Sequence, residues 1–305
     1  LDISGNVDID GVLETDNLTI GGAQGTDGQV LTSTGSGVGW EDASGGGSGA
    51  TFKEAGTNFT NSLMVGDDAT GTLDAATGNV GLGIDVFAAL TSGDNNVVVG
   101  FSAGNDLTTG SRNTAIGTNA LDKATTPNDN TAVGFAAMTA TTTGHSNTAM
   151  GKRALQTNTT GIKNTSLGAS SMSANTTGAS NVAVGENALA SNTTGNYSVA
   201  IGELALTANT TGQNVAIGQA AMVANTTGTG NVAIGTYDDV NLQPLKANTT
   251  GDKNIAIGTG SMSSSTTADS NTAVGYISLK SNTTGLYNVA LGQNALGGNT
   301  TANSN

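Results

Sequence analysis

Hydrophobic and polar positions along the chain recur with a fixed period. The unit Asn-x-Ala-(Ile/Val)-Gly opens at Asn96, Asn113, Asn130, Asn147, Asn164, Asn181, Asn214, Asn231, Asn254, Asn271 and Asn288, with Ser198 taking the Asn place once. Successive openings lie 17 residues apart, apart from a step of 16 after Ser198 and a step of 23 after Asn231. The consensus is N-x-A-(I/V)-G-x-x-A-(L/M)-x-x-N-T-T-G-x-x. Its fifth-position Gly holds from Gly100 to Gly292, and its Thr-Thr pair from Thr108-Thr109 to Thr300-Thr301. The Leu/Met position fails only at Gly104. Two degenerate copies lie upstream, Asn79-Val80-Gly81-Leu82-Gly83 and Ser62-Leu63-Met64-Val65-Gly66. Asn305 stands 17 residues beyond Asn288, so the array is expected to continue past residue 305.

A 17-residue unit is too short for a helical repeat, which needs about 33–47 residues, and Asn, Thr, Val, Ile and Gly are poor helix formers. Within N-x-A-I-G the second and fourth positions share one strand face and the third faces the other way. A-L-x-x reads as a second short strand. N-T-T-G and the fifth-position Gly supply turns, since Asn bonds locally to backbone and Gly accepts positive φ. These elements predict an all-β fold: a parallel β-roll or β-solenoid, one repeat per coil. Each coil offers one Ile/Val, one Leu/Met and one or two Ala, which is little apolar area at about 25 cal/mol per Å². If the large residues fill the interior, the Ala column is expected on an outer face. Association of several coils along a common axis, preferably three, would then bury the Ala or the Val/Thr stripe. Stacked Asn and Thr side chains are expected to bond along the ladder.

Composition sharpens this picture. The 305 residues include 46 Gly, 2 Pro, no Cys and one His, with 10% charged and 3% aromatic residues. Without Cys there is no disulfide framework and no thiolate site; Gly without a three-residue period excludes collagen. No window holds 18 apolar residues, and no basic, apolar signal segment opens the chain. Net charge is −14, but residues 1–95 carry 14 acids against Lys53, or −13; residues 96–305 carry 9 acids and 8 bases, or −1. So acidic and aromatic-poor a chain is a poor nucleic-acid binder. Residues 1–43 alternate like short strands, residues 44–61 are a Gly/Ser-rich linker and transition, and residues 62–305 form the array.

The N-(T/V)-A-(I/V)-G unit with its short turn resembles the head repeat of trimeric autotransporter adhesins, whose usual repeat is shorter. That resemblance implies a left-handed parallel β-roll in an intertwined homotrimer, over residues 62–305. Gly5-Asn6-Val7-Asp8-Ile9-Asp10-Gly11-Val12-Leu13 and Gly28-Gln29-Val30-Leu31-Thr32-Ser33 with Trp40 resemble shaft segments of tail-fibre proteins from tailed phages of marine bacteria. Thr77-Gly78-Asn79-Val80-Gly81-Leu82-Gly83 is similar to the approach to a self-cleaving chaperone in such fibres.

Candidate chemistry is sparse. Asp8-x-Asp10-Gly11 falls short of the 6–8 oxygens that Ca²⁺ takes, so turn aspartates are the expectation and no metal or cofactor is assigned. The Thr-Thr pair sits in a turn, which argues against an ice-binding face, and Asn-x-Thr sequons would need a secretory context to be glycosylated. His145 reads as an exposed loop residue. Glu186, Glu203, Asp238 and Asp239 are not read as a hydrolase pair, although stacked coils can in principle bring two carboxyls within the 5–9.5 Å of a glycosidase. The six-residue insertion in the 23-residue repeat is the candidate receptor-binding loop, through Tyr237, Asp238 and Asp239. Phe101, Phe135, Tyr197, Tyr276 and Tyr287 stand at turn positions, as candidate stacking platforms for sugars or as packing residues between subunits. The expected function is a non-enzymatic homotrimeric fibre of a virion, attaching to a host glycan or protein and joined to other structural proteins through its N-terminal part. No nucleic acid or membrane insertion is expected. A bacterial surface adhesin or extracellular filament is the alternative, and a polysaccharide-degrading tailspike the lesser one.

Overall fold

The computed structural model describes residues 62–66, 75–236 and 242–305, and upstream the strands Thr19–Ile20, Ala23–Gln24, Gln29–Ser33, Val38–Asp42, Thr51–Lys53 and Phe59–Thr60. The chain divides into two compact units, Leu1–Thr51 and Phe52–Asn305. In the first, Thr19–Ile20 pairs antiparallel with Ala23–Gln24, and Gln29–Ser33 with Val38–Asp42, placing Leu31 opposite Trp40.

The second unit is a parallel β-solenoid. Fourteen strands, Leu63–Gly66, Val80–Gly83 and twelve three-residue strands from Val97–Val99 to Val289–Leu291, stack in one sheet through thirteen parallel pairings. At about 4.8 Å per step this sheet is about 62 Å tall. The same sheet takes in Thr51–Lys53. The described residues contain no helix. The irregular repeats leave the register intact. Val199 pairs with Val215 across the 16-residue step, and Val232 with Ile255 across the 23-residue step, so the sheet absorbs both at corners.

The interior differs from the sequence expectation. Third-position Ala residues such as Ala115, Ala132 and Ala149 are 0% exposed, whereas fourth-position Ile116 and Met150 are 39% and 47% exposed. The Ala column faces in and the Ile/Val column faces out. Strand alternation explains why: first-position Asn and third-position Ala share a face, so once the Asn amides are buried in their ladder, positions two and four must point outward. Leu or Met at the ninth position fills the opposite wall, as Leu121, Met138, Leu155 and Met172 do.

The A-L-x-x segment is a run of turns, not a second strand. Its seventh and ninth residues lie in the left-handed region, for example Asn119 (φ 56°) and Leu121 (φ 55°), or Ser170 (φ 54°) and Met172 (φ 46°). That conformation costs a non-glycine residue about 1–2 kcal/mol. It persists because hydrogen bonds from both neighbouring coils hold it: Asn119 N donates to Phe101 O, and Leu121 N to Ala137 O.

Volume is matched within each coil. Gly81 takes the Ala place beneath Phe87, and a Cβ on Gly81 would lie 3.0 Å from that ring. One coil on, Val98 takes the Ala place and Gly104 the Leu place, with the Val98 side chain 3.2 Å from where a Gly104 Cβ would sit. The one failure of the Leu/Met position is thus filled from across the coil by the Val98 side chain.

The Asn ladder is the coil-to-coil fastening. Asn147 donates from its backbone N (2.9 Å) and Nδ2 (3.1 Å) to Asn130 Oδ1, and from Nδ2 to Gly161 O (2.9 Å). The pattern holds from Asn79 to Asn181 and from Asn214 to Asn305, including across the insertion. Both amide donors and the amide oxygen are satisfied, so burial costs little. A second column at position twelve links Asn158, Asn175 and Asn192, and then Asn209, Asn225 and Asn248. Thr side chains form a third: Thr108 Oγ1 donates to Thr125 O at 2.8 Å, and the pattern recurs up the stack.

Where a column breaks, orphans appear. Asn248 Oδ1 and Ser265 Oγ are both buried without partners, because Ser265 replaces the next Asn. Ser265→Asn would supply a donor to Asn248 Oδ1 and an acceptor to Asn282 Nδ2. It is expected to raise stability by about 1–2 kcal/mol, seen as a higher urea midpoint with an unchanged slope.

Candidate functional surfaces

The coil presents its outward chemistry in columns. Along the sheet face, positions two and four give pairs such as Val182 and Val184, Val199 and Ile201, Val215 and Ile217, Ile255 and Ile257, with Thr at position two in Thr114, Thr131, Thr148, Thr165 and Thr272. The columns border position seventeen before the strand and position six after it. All five aromatics singled out in the sequence are exposed at these borders: Phe101, Phe135 and Tyr276 at position six, Tyr197 and Tyr287 at position seventeen.

The receptor-loop candidates Tyr237, Asp238 and Asp239 lie outside the described residues, as do Asp8 and Asp10. Next to that insertion, Leu242, Lys246, Ala247, Ser263, Ser264 and Lys280 line an open recess of about 450 Å³. His145 is exposed, with Nδ1 3.2 Å from Ser146 Oγ. No group of three or more His, Cys, Asp or Glu among the described residues is placed to hold a metal ion.

Glu186 and Glu203 lie at equivalent places in the array. Both occupy position six, on successive coils, and both are exposed. Leu204 N donates to Glu186 O at 2.9 Å, so Glu186 and Glu203 stack at the same position about one coil spacing apart. The 17-residue register places them there, as the stacked coils allow. Glu203 Oε2 accepts from Gln219 Nε2 at 3.0 Å.

Seven of the Asn-Thr-Thr sequons are closed to glycan transfer in the folded chain, while Asn299 in the last coil is partly exposed. Asn158, Asn175, Asn192, Asn209, Asn225, Asn248 and Asn282 are all fully buried. The first Thr of each pair is engaged along the ladder, while the second, as in Thr143, Thr160 and Thr177, is exposed.

Two ion-pair groups stand on the described surface. Arg112 Nε and Nη2 bond the Asp129 carboxylate at 2.6 and 3.0 Å. Those hydrogen bonds hold the Asp129 carboxyl below its ordinary pKa and lift that of Arg112. Lys123 Nζ lies 3.3 Å from Asp106 and 3.4 Å from Asp122, and its pKa is raised first by the hydrogen bond to Asp106. The Asp129 contribution is present above the ordinary carboxylate pKa and lost as pH falls through the lowered value. With both partners exposed, salt screens it heavily.

The fold and these columns define an all-parallel β-solenoid repeat protein. The chain matches no family model, no curated protein and no solved structure. No helix among the described residues is long and apolar enough to cross a membrane.

Proposed function

We propose that this chain is a non-enzymatic structural fibre: a homotrimeric tail fibre or related virion appendage that provides reach and attaches to a host surface. The observation that carries this reading is the outward sheet face. A position-four column of Ile, Val, Leu and Met runs up about 62 Å of stack beside a position-two column of Val, Ile and Thr, and a three-residue strand is about 10 Å wide, giving a mixed, largely apolar face of roughly 600 Å². An exposed face of that size and composition fits an interaction surface. It is also flat, parallel and periodic, as the same face of another copy would be. Self-association through it fits the resemblance to trimeric adhesin heads. Three chains per fibre and several fibres per particle convert weak contacts into firm attachment by avidity.

Placing two lysines in the position-four column, Val184→Lys with Ile217→Lys, is expected to yield a folded monomer. Its retention on a panel of marine bacterial cells, followed by fluorescence, should drop at least tenfold relative to the unaltered chain. Equal retention of both, or retention of neither on any cell, would overturn the proposal. A cell-surface adhesin is the second reading, distinguished by the coding sequence on either side. The Glu186–Glu203 adjacency keeps a hydrolytic tailspike testable: release of reducing ends from host polysaccharide, abolished by Glu203→Gln, would replace the structural reading with an enzymatic one.

A further inference from the structure

Residues 130–185 contain no Asp or Glu, yet carry His145, Lys152, Arg153 and Lys163. In a chain of net charge −14 this run of little more than three coils is a local cationic band. Lys152, Arg153 and Lys163 are exposed, and none takes part in an ion pair among the described residues. By contrast Arg112 and Lys123 are both neutralised by aspartates on adjacent coils or in their own.

An aromatic ring stands beside these cations. Phe135 occupies position six of its coil and is 46% exposed. Lys152 occupies position six of the next coil and Arg153 follows it, with Arg153 N donating to Phe135 O at 2.8 Å. The other exposed position-six aromatics have no such neighbours, since the next coil offers Thr118 beyond Phe101 and Gln293 beyond Tyr276. On the opposite border, Lys163 sits beside His145, its N donating to His145 O at 3.2 Å.

We infer that Phe135, Lys152 and Arg153 form a binding site for an acidic polysaccharide. The chemistry is complementary. The C–H face of a pyranose ring packs against the apolar face of Phe135. A carboxylate on that sugar or its neighbour then falls about one coil spacing away, within reach of the Lys152 ammonium and the forked Arg153 guanidinium, which suits bidentate carboxylate binding. Nucleic acid is the poorer fit. Two cations neutralise few phosphates of a duplex. The site borders the apolar columns and leaves them free to be covered by another copy. It deepens the attachment reading by naming a class of surface ligand, and rests on that reading for its biological role.

The test is binding of the full chain to polygalacturonate, with dextran and duplex DNA as comparison ligands, at low and physiological salt. Two variants take residues that other coils already hold at the same positions: Phe135→Thr, and Lys152→Thr with Arg153→Asn. They should therefore keep the fold and its thermal midpoint. The expected result is salt-sensitive polygalacturonate binding, no dextran binding, and a Kd at least tenfold weaker in each variant. Absence of polygalacturonate binding at low salt, equal binding by the variants, or DNA binding of equal strength with the same variant sensitivity would each overturn the site. Polygalacturonate binding by a chain that fails to adhere to any cell would sink the attachment reading and leave this site standing.

Discussion

Asn164→Ala is expected to destabilise the solenoid by about 2–4 kcal/mol and to open it locally. The Asn164 amide oxygen accepts from Asn181 N at 3.0 Å and Asn181 Nδ2 at 3.1 Å, while its own Nδ2 donates to Asn147 Oδ1 at 3.1 Å and Gly178 O at 2.8 Å. Alanine removes all of these contacts, so several buried groups lose a partner together. Each unsatisfied buried group costs about 1–3 kcal/mol. Because repeat arrays behave as nearest-neighbour chains, the damage should stay near its origin. Hydrogen exchange should report lost protection at residues of the coils opening at Asn147, Asn164 and Asn181, with distant coils unchanged. Uniform loss across the array, or no loss at all, would contradict the ladder's role.

Gly151→Val is expected to be more severe, costing 3 kcal/mol or more and breaking coil stacking at that level. Gly151 has φ 139°, and a Cβ there would lie 2.5 Å from Gly168 O and 2.6 Å from Gly168 C. Both the backbone conformation and the space exclude a side chain. The obstruction is backbone of the next coil, which cannot rotate aside as a flexible side chain would. Gly298 is the control: a Cβ there meets nothing within 4 Å, so Gly298→Ala should leave the thermal midpoint within about 1 °C of its starting value. A soluble, fully cooperative Gly151→Val chain would refute the close-approach argument.

These two positions also show how the sequence encodes the fold. The 17-residue register predicts the coil, the parallel stacking and the Asn and Thr columns, because each rests on a residue type recurring at one place. Other features are not written in residue type. Leu121 and Met172 adopt left-handed φ although neither residue favours it, so the A-L segment reads as a strand until the inter-coil hydrogen bonds are seen. The inside-out expectation fails for a related reason. Hydrophobicity places Ile116 inward, but the buried Asn113 on the same strand fixes the alternation the other way. Leu121 and its counterparts then fill the wall, and the small Ala115 is all that fits beside them. The Gly81–Phe87 and Val98–Gly104 exchanges become legible only when both positions are known to face each other. The Glu186–Glu203 adjacency and the Phe135–Lys152 corner were both contained in the period itself, as identical positions one repeat apart. The insertion candidates Tyr237, Asp238 and Asp239 fall outside the described residues and take no part in either account.

Coverage of the outward Val/Ile/Thr columns by further copies of the chain is the proposal on which the fibre reading turns. It is measured most directly as the native mass by light scattering coupled to size exclusion across a range of concentrations. The expected species has about three times 29.7 kDa, persists on dilution and collapses to one chain when Val184 and Ile217 become Lys. A single chain of 29.7 kDa at every concentration, with those columns left in water, would contradict it.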